Sequence, residues 1–515
     1  MPRRSSRKLT TPGSYLPPSK MHSMQRVKQL LPFQRSKNAG VLHLTSTSMT
    51  PEPILPAELI EAIVDELGAL QDTATLKTCT LVSHTFLFPA QKYLFHSINL
   101  DRPHTSRKKT VQRFHKLLFS RPHLGNHVRA LYLGDDTADD FGYEDDDIGS
   151  HTVSSSELWV PLKKGGKPKS LQLIPQILDR VPRLAALSVS FNPNMLRWGD
   201  IPQQTLEALY GVLGRESLRE VALAFVPSCP PELLWMLARL KVVNLSCVEL
   251  DPHHAGAISS EPPETTEVNI ETLILRATPP STITALTRIL AAAPRGSSPL
   301  KSLAVTPTFE PGFCEAVAEL LTRAGENIVN FEWLPSIHFS ASSHPISFSP
   351  STTPHLASLR FSVSFRKSQA HLGGPFAQAL RLLESLRPSE PLIHPSRPAP
   401  ISSPASGSLR TVTIDCHCLR SRVIHEHDVA NEAASVLRKL KAEWAPLDQA
   451  LSALTAHGDL DISSPGLREV RIRLSTKTSV EQDRDHFVRA FPHLLPGLQS
   501  KGVMLSVTTS DELTI

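Results

Sequence analysis

Apolar and polar positions along this 515-residue chain follow two rhythms, and the first is helical. After Leu55 and Pro56, the residues Leu59, Ile60, Ile63, Val64 and Leu67 recur at three-to-four spacing and predict an amphipathic helix. Pro56 suits its first turn, where a missing N–H costs no bond. Asp72 or Thr73 is placed to cap a second helix carrying Leu76, Cys79 and Val82. Pro89 opens a third with Tyr93, Leu94 and Phe95, and Ile98 and Leu100 alternate like the start of a strand. Three helices this short carry more apolar surface than they can hide among themselves, so part of it is expected to meet a partner.

The second rhythm fills the rest of the chain. An apolar-x-x-apolar-x-apolar template starts at 128, 184, 218, 240, 270, 300, 328, 356, 409 and 467, with steps of 22 to 30 residues between 218 and 356. Such a period predicts stacked repeats. Helical patterns lie between the copies, at Leu171–Leu178, Thr205–Leu213, Pro231–Leu240, Ile283–Leu290, Phe313–Leu321, Phe376–Leu386 and Ala433–Leu440. Each strand–helix unit leaves an apolar face that only its neighbours can cover. Burying each Leu or Val contributes about 1.5–3 kcal/mol, so the copies supply one continuous core.

Two resemblances follow. Leu-Pro-x-Glu-Leu-Ile at 55–60 and Leu-Val-Ser-His-x-Phe at 81–86 resemble the F-box, especially its fungal form, over about forty-five residues. Phe86 stands where that family commonly carries Trp. The resemblance implies docking on a Skp-type adaptor, which joins such proteins to a cullin scaffold in an SCF-type ubiquitin ligase. It assigns Leu55, Pro56, Leu59, Ile60, Ile63, Leu67, Val82 and Phe86 to the adaptor interface. The strand–helix repeat resembles the leucine-rich repeat, although the asparagine that usually follows the strand occurs once, as Asn192, with Thr, Ser, Val or His elsewhere. The expected fold is α/β: a short three-helix F-box-like module at 52–100, then an irregular leucine-rich-repeat-like solenoid, or horseshoe, over 101–515. A basic tail at 1–51 precedes them and reads as disordered, and loop insertions are expected near 135–166, 335–354 and 388–408.

Charge sharpens the division. Residues 1–51 hold nine Lys or Arg and no acid, which leaves 45 basic against 49 acidic residues in the remainder, a net of −4. A nucleic-acid platform is therefore not expected in the body. The Arg- and Ser-rich start resembles a transit peptide, but Pro2, Pro12, Pro17 and Pro18 interrupt the helix such a signal needs. Arg3-Arg4 and Arg7-Lys8 leave nuclear import open beside a solvated tail, so the expected location is cytoplasmic, nuclear or both. No run of eighteen apolar residues predicts a membrane span. Six scattered cysteines fit a reducing compartment. Asp135–Asp147 reads as an acidic loop, and KKGGKPK at 163–169 lacks the full phosphate-loop pattern.

Chemistry is the weaker theme. Cys416-His417-Cys418 with His425-Glu426-His427 offers zinc-ligand types. Period two, however, puts Val412, Ile414, Cys416 and Cys418 on one strand face among core residues. No metal site, catalytic residue or cofactor is expected, and the chain reads as a non-catalytic receptor. Strand alternation turns the residues two, four and six places past each template start outward. These are small in early copies and charged in later ones. Arg276, Glu332, Arg360, Asp415, Arg471 and Arg473 are the candidate patch for a protein substrate of unknown identity, with Glu469 beside them. Two other classes stay open: a repeat scaffold without a ligase, and a nuclear nucleic-acid-associated factor acting through the tail.

Overall fold

The computed structural model describes residues 55–100, 107–133, 173–191, 198–251, 267–292, 299–308, 310–335, 352–364, 376–386, 409–417, 441, 444–455, 466–475 and 493–510. The basic tail, the acidic loop, the 163–169 segment, the helical pattern at 433–440, Asn192, Cys418 and His425–His427 lie outside them. So do the expected insertions, apart from Pro335 and residues 352–354. Met1–Pro56 form one unit, in which Leu55 and Pro56 are exposed, and Ala57–Ile515 form a second, compact one.

The second unit begins with three helices, α1 (Ala57–Ala69), α2 (Thr73–Val82) and α3 (His84–Leu94). Asp72 caps α2, its carboxylate accepting from the Thr75 N–H at 3.0 Å. Contrary to the expectation that Pro89 opens the third helix, α3 starts five residues earlier, and extended Ser83 sets its entry. Pro89 sits inside it and forgoes one backbone bond. Val64, Leu76 and Ala90 make a small shared core, with Leu67, Cys79, Phe86, Tyr93 and Leu94 packed around it. Gly68 lets the Tyr93 ring lie flat on α1, where any Cβ would overlap it. Tyr93 Oη then donates to Asp65 at 2.6 Å and ties α3 to α1.

Among the described residues, twelve strands follow in one parallel sheet, ordered as they occur in the chain. They are β1 (Ser97–Asn99), β2 (Ala130–Leu133), β3 (Ala186–Ser190), β4 (Glu220–Cys229), β5 (Val242–Leu250) and β6 (Thr272–Arg276), then β7 (Ser302–Thr306), β8 (Asn330–Trp333), β9 (Ser358–Ser364), β10 (Thr411–His417), β11 (Glu469–Ser475) and β12 (Met504–Ser510). Ser97 pairs with Ala130, so the sheet grows directly out of the helical segment. The chain is thus a mixed α/β protein. Each of the ten template starts lies two residues before a strand, and its apolar positions are buried: Ile270, Leu273 and Leu275, Leu300, Leu303 and Val305, Leu467, Val470 and Ile472.

Helices cover the apolar face of the sheet: α4 (Arg107–Ser120), α5 (Ile174–Asp179), α6 (Gln203–Leu213), α7 (Pro231–Ala238), α8 (Pro280–Ala291), α9 (Phe313–Ala324), α10 (Ala377–Ser385), a helix over 444–453, and a short one, Pro496–Ser500. Proline at the start of α5, α7 and α8 supplies a preset φ where donors are free. Leu286, Ile289, Val317 and Leu320 are fully buried in the single large core. Burial of parallel strands under crossover helices is the normal economy of such a sheet.

The left-handed positions carry no asparagine. Phe225 inside β4, Cys247 inside β5 and Ala277 just past β6 follow the mutually paired Ala224, Ser246 and Arg276, and all three adopt left-handed backbone, φ 54°, 51° and 45°. One repeat position therefore carries the same strained backbone three times in a stack. Threonine hydroxyls close the turns: buried Thr278 donates to the Leu245 carbonyl at 3.0 Å, and buried Thr282 to that of Val248 at 2.9 Å. Both bonds run from one repeat to the one before.

Candidate recognition surfaces

Parallel register sets the outward residues of β6–β11 in rows. Ile274, Ala304, Glu332, Arg360, Thr413 and Arg471 are successive partners in one row. One row further along, Arg276 pairs with Thr306, Ser362 with Asp415, and Asp415 with Arg473. Five of the six expected substrate residues, Arg276, Glu332, Arg360, Asp415 and Arg473, fall in this patch, and the sixth, Arg471, borders it.

The patch is largely self-paired. Arg360 is clamped between two carboxylates: Nη1 lies 3.0 Å from Glu332 Oε2, and Nη2 lies 2.7 Å from Asp415 Oδ2. Arg473 Nε approaches Asp415 Oδ1 at 3.7 Å, beyond hydrogen-bond reach, and that oxygen accepts no hydrogen bond. Asp415 is 2 % exposed, so its charge depends on these arginines for compensation. Arg471 is held by Glu469 of its own strand through two bonds, 2.7 and 2.8 Å, and that carboxylate raises the guanidinium pKa.

Two members are tuned by burial. His417 is held below the usual imidazole value by burial, with the Asp415 carboxylate pulling the other way and Arg360 adding to the depression. Arg276 is half-buried, and desolvation lowers its pKa against the pull of Glu332. A cavity of about 80 Å³ opens among these side chains. Cys416 lies on the opposite face of β10, 1 % exposed, and burial lifts its thiol well above the ordinary value. It packs as a core residue.

The helical end offers a different surface. Leu59 and Ile63 on α1 are exposed at 52 % and 44 %, one turn apart, and Val82 and Leu81 on α2 at 68 % and 86 %. Leu70 and Phe88 are exposed as well. Ile60, also assigned to the adaptor interface, is buried, and Leu67 and Phe86 are half-buried against the small helical core. Leu81 belongs to the motif at 81–86 but is not assigned to the interface by the sequence, and Phe88 is not singled out, because both lie off the stripes that define α2 and α3. An apolar residue off its helix's buried stripe is the signal that marks them. Among residues 107–510, the described large apolar side chains standing in solvent are only Phe119, Tyr132 and Met504.

No protein-family model matches the chain, and no curated protein matches it. Among the described residues, no helix is long and apolar enough to cross a membrane, and no three metal-ligating side chains come together.

Proposed function

We propose that this chain is the substrate-recognition subunit of an SCF-type cullin-RING ubiquitin ligase. α1–α3 are its F-box, docking on a Skp-type adaptor, and the strand–helix units are an irregular leucine-rich-repeat horseshoe whose outward sheet face grips a protein substrate. One observation carries the reading: apolar side chains that a folded chain would bury are instead concentrated in solvent on three consecutive short helices, at Leu59, Ile63, Leu81, Val82 and Phe88. A monomer rarely leaves such a patch uncovered. Leu55 and Pro56, exposed in the preceding unit, belong to the same sequence motif. A specific contact of this kind buries about 1,200–2,000 Å² in total.

Mechanistically, the chain contributes proximity and no bond-making group. By holding the substrate while the adaptor and cullin hold the ubiquitin carrier, it raises the effective concentration of a substrate lysine near the reacting thioester. Purified full-length chain mixed with a Skp-type adaptor should co-elute with it, and Leu55→Ala/Pro56→Ala should abolish co-elution. Absence of a complex with the unmodified chain would favour a repeat scaffold without ligase partners.

A further inference from the structure

The patch on β6–β10 has two loose ends. Arg276 lines the cavity at its β6 edge, and its guanidinium donates to no described residue, although it is half-buried and already partly stripped of water. At the β10 edge, the buried oxygen Asp415 Oδ1 accepts no hydrogen bond. Between them, Arg360 spans Glu332 and Asp415, and the Ser362 hydroxyl donates to the Pro335 carbonyl at 3.0 Å. An unused donor group therefore faces the trough at its β6 edge, and a buried, unsatisfied oxygen lies beneath its β10 edge. Four strand-to-strand steps of roughly 4.8 Å separate the edges, about 19 Å, which is the span of roughly six residues of extended chain.

Charge selects the occupant. Two arginines and two carboxylates line the cavity, and Arg473 stands beside Asp415, so these five side chains carry one positive charge in excess. A singly charged anion matches that surplus. A dianion would sit close to Glu332 and Asp415 and be repelled by both. A guanidinium fork also matches the two oxygens of a carboxylate.

We infer that the trough across β6–β10 binds an extended peptide segment of a partner protein, anchored by a carboxylate on Arg276. The carboxylate belongs to an Asp or Glu side chain or to the partner's C-terminus. This deepens the proposed substrate-receptor reading by naming the chemistry the substrate must carry.

The test uses the full-length chain and pools of fluorescein-labelled, otherwise randomised hexapeptides, read by anisotropy. The pools carry a fixed Asp or Glu, the matching Asn or Gln, or a phosphoserine, each made with a free and an amidated C-terminus. Binding should favour a carboxylate pool over its amide counterpart by about tenfold or more, the size of one charge-assisted bond, and Arg276→Met should erase the preference. Loss on amidation alone would assign the anchor to the C-terminus; persistence with fixed Asp or Glu would assign it to a side chain. No preference, a preference for phosphoserine, or a preference that survives Arg276→Met would overturn the inference. Arg276→Met should still co-elute with the adaptor, so failure at the trough stays separate from failure of the F-box assignment.

Discussion

Arg360 and Asp415 stand on adjacent parallel strands, 55 residues apart in the chain, with Arg360 Nε donating to Asp415 Oδ2 at 2.7 Å. The bond is diagonal: Arg360 pairs in register with Thr413, and its side chain reaches one step along β10. This contact organises the charged patch, because Asp415 is buried and Arg360 also carries Glu332. Arg360→Met should leave a buried carboxylate without its main partner and cost about 3–5 kcal/mol. Adding Asp415→Leu should recover more than half of that loss. Urea unfolding of the two variants checks both values; equal losses would mean the pair is not coupled.

The turn stack makes its own prediction. Thr278→Val keeps the shape and removes the hydroxyl that donates to the Leu245 carbonyl of the preceding repeat. The expected loss is about 1 kcal/mol. Amide hydrogen exchange should rise at the β5–β6 turns before it rises at β10–β11, since repeats couple through neighbours.

Acid should weaken the fold through His417. Its folded pKa is depressed by burial, so the folded protein resists a proton that the unfolded chain accepts below the ordinary histidine value of about 6.5. The stability contribution is full above that value and falls as pH drops through it. The melting temperature should therefore fall between pH 7.5 and pH 5, and His417→Gln should flatten part of that slope. An identical slope in the variant would show that His417 takes up its proton over the same pH range in the folded and unfolded chain.

How much of this could be read in advance depends on where each signal lies. The ten strand starts were legible because the template's apolar residues are the buried ones at each strand. β12 was not, since Gly502, at φ 71°, stands where the template wants an apolar residue and Val503 is buried instead. The helix over 444–453 was missed as well, although Trp444, Leu447 and Leu451 are spaced as a helix requires and are fully buried. Period-two alternation placed Arg276, Glu332, Arg360, Asp415 and Arg473 on one face. It could not show that Arg360 is consumed by two carboxylates, because that depends on the register of strands 28 and 55 residues apart. In the helical segment, the stripe of α1 was plain, but which half of it faces inward depends on how α3 packs. Ile60 and Val64 are buried, while Leu59 and Ile63 are not.

Gly68 offers a local check on the helical segment. Gly68→Ala should force α1 and α3 apart, because a methyl there overlaps the Tyr93 ring. Exchange should quicken along both helices and leave β6–β11 unchanged. Tyr93→Ala in the same chain should relieve the clash, so the double variant should exchange more slowly on α1 than Gly68→Ala alone.

The most direct test is a calorimetric titration of the full-length chain with purified Skp-type adaptor, using Leu59→Asp/Ile63→Asp as the variant. Both side chains are exposed, so the substitutions should leave the unfolding midpoint in place. Docking through these helices predicts saturable binding that weakens at least a hundredfold in the variant, as expected when central apolar anchors are lost. Equal affinity for the two chains, or no heat from the unmodified one, would contradict it.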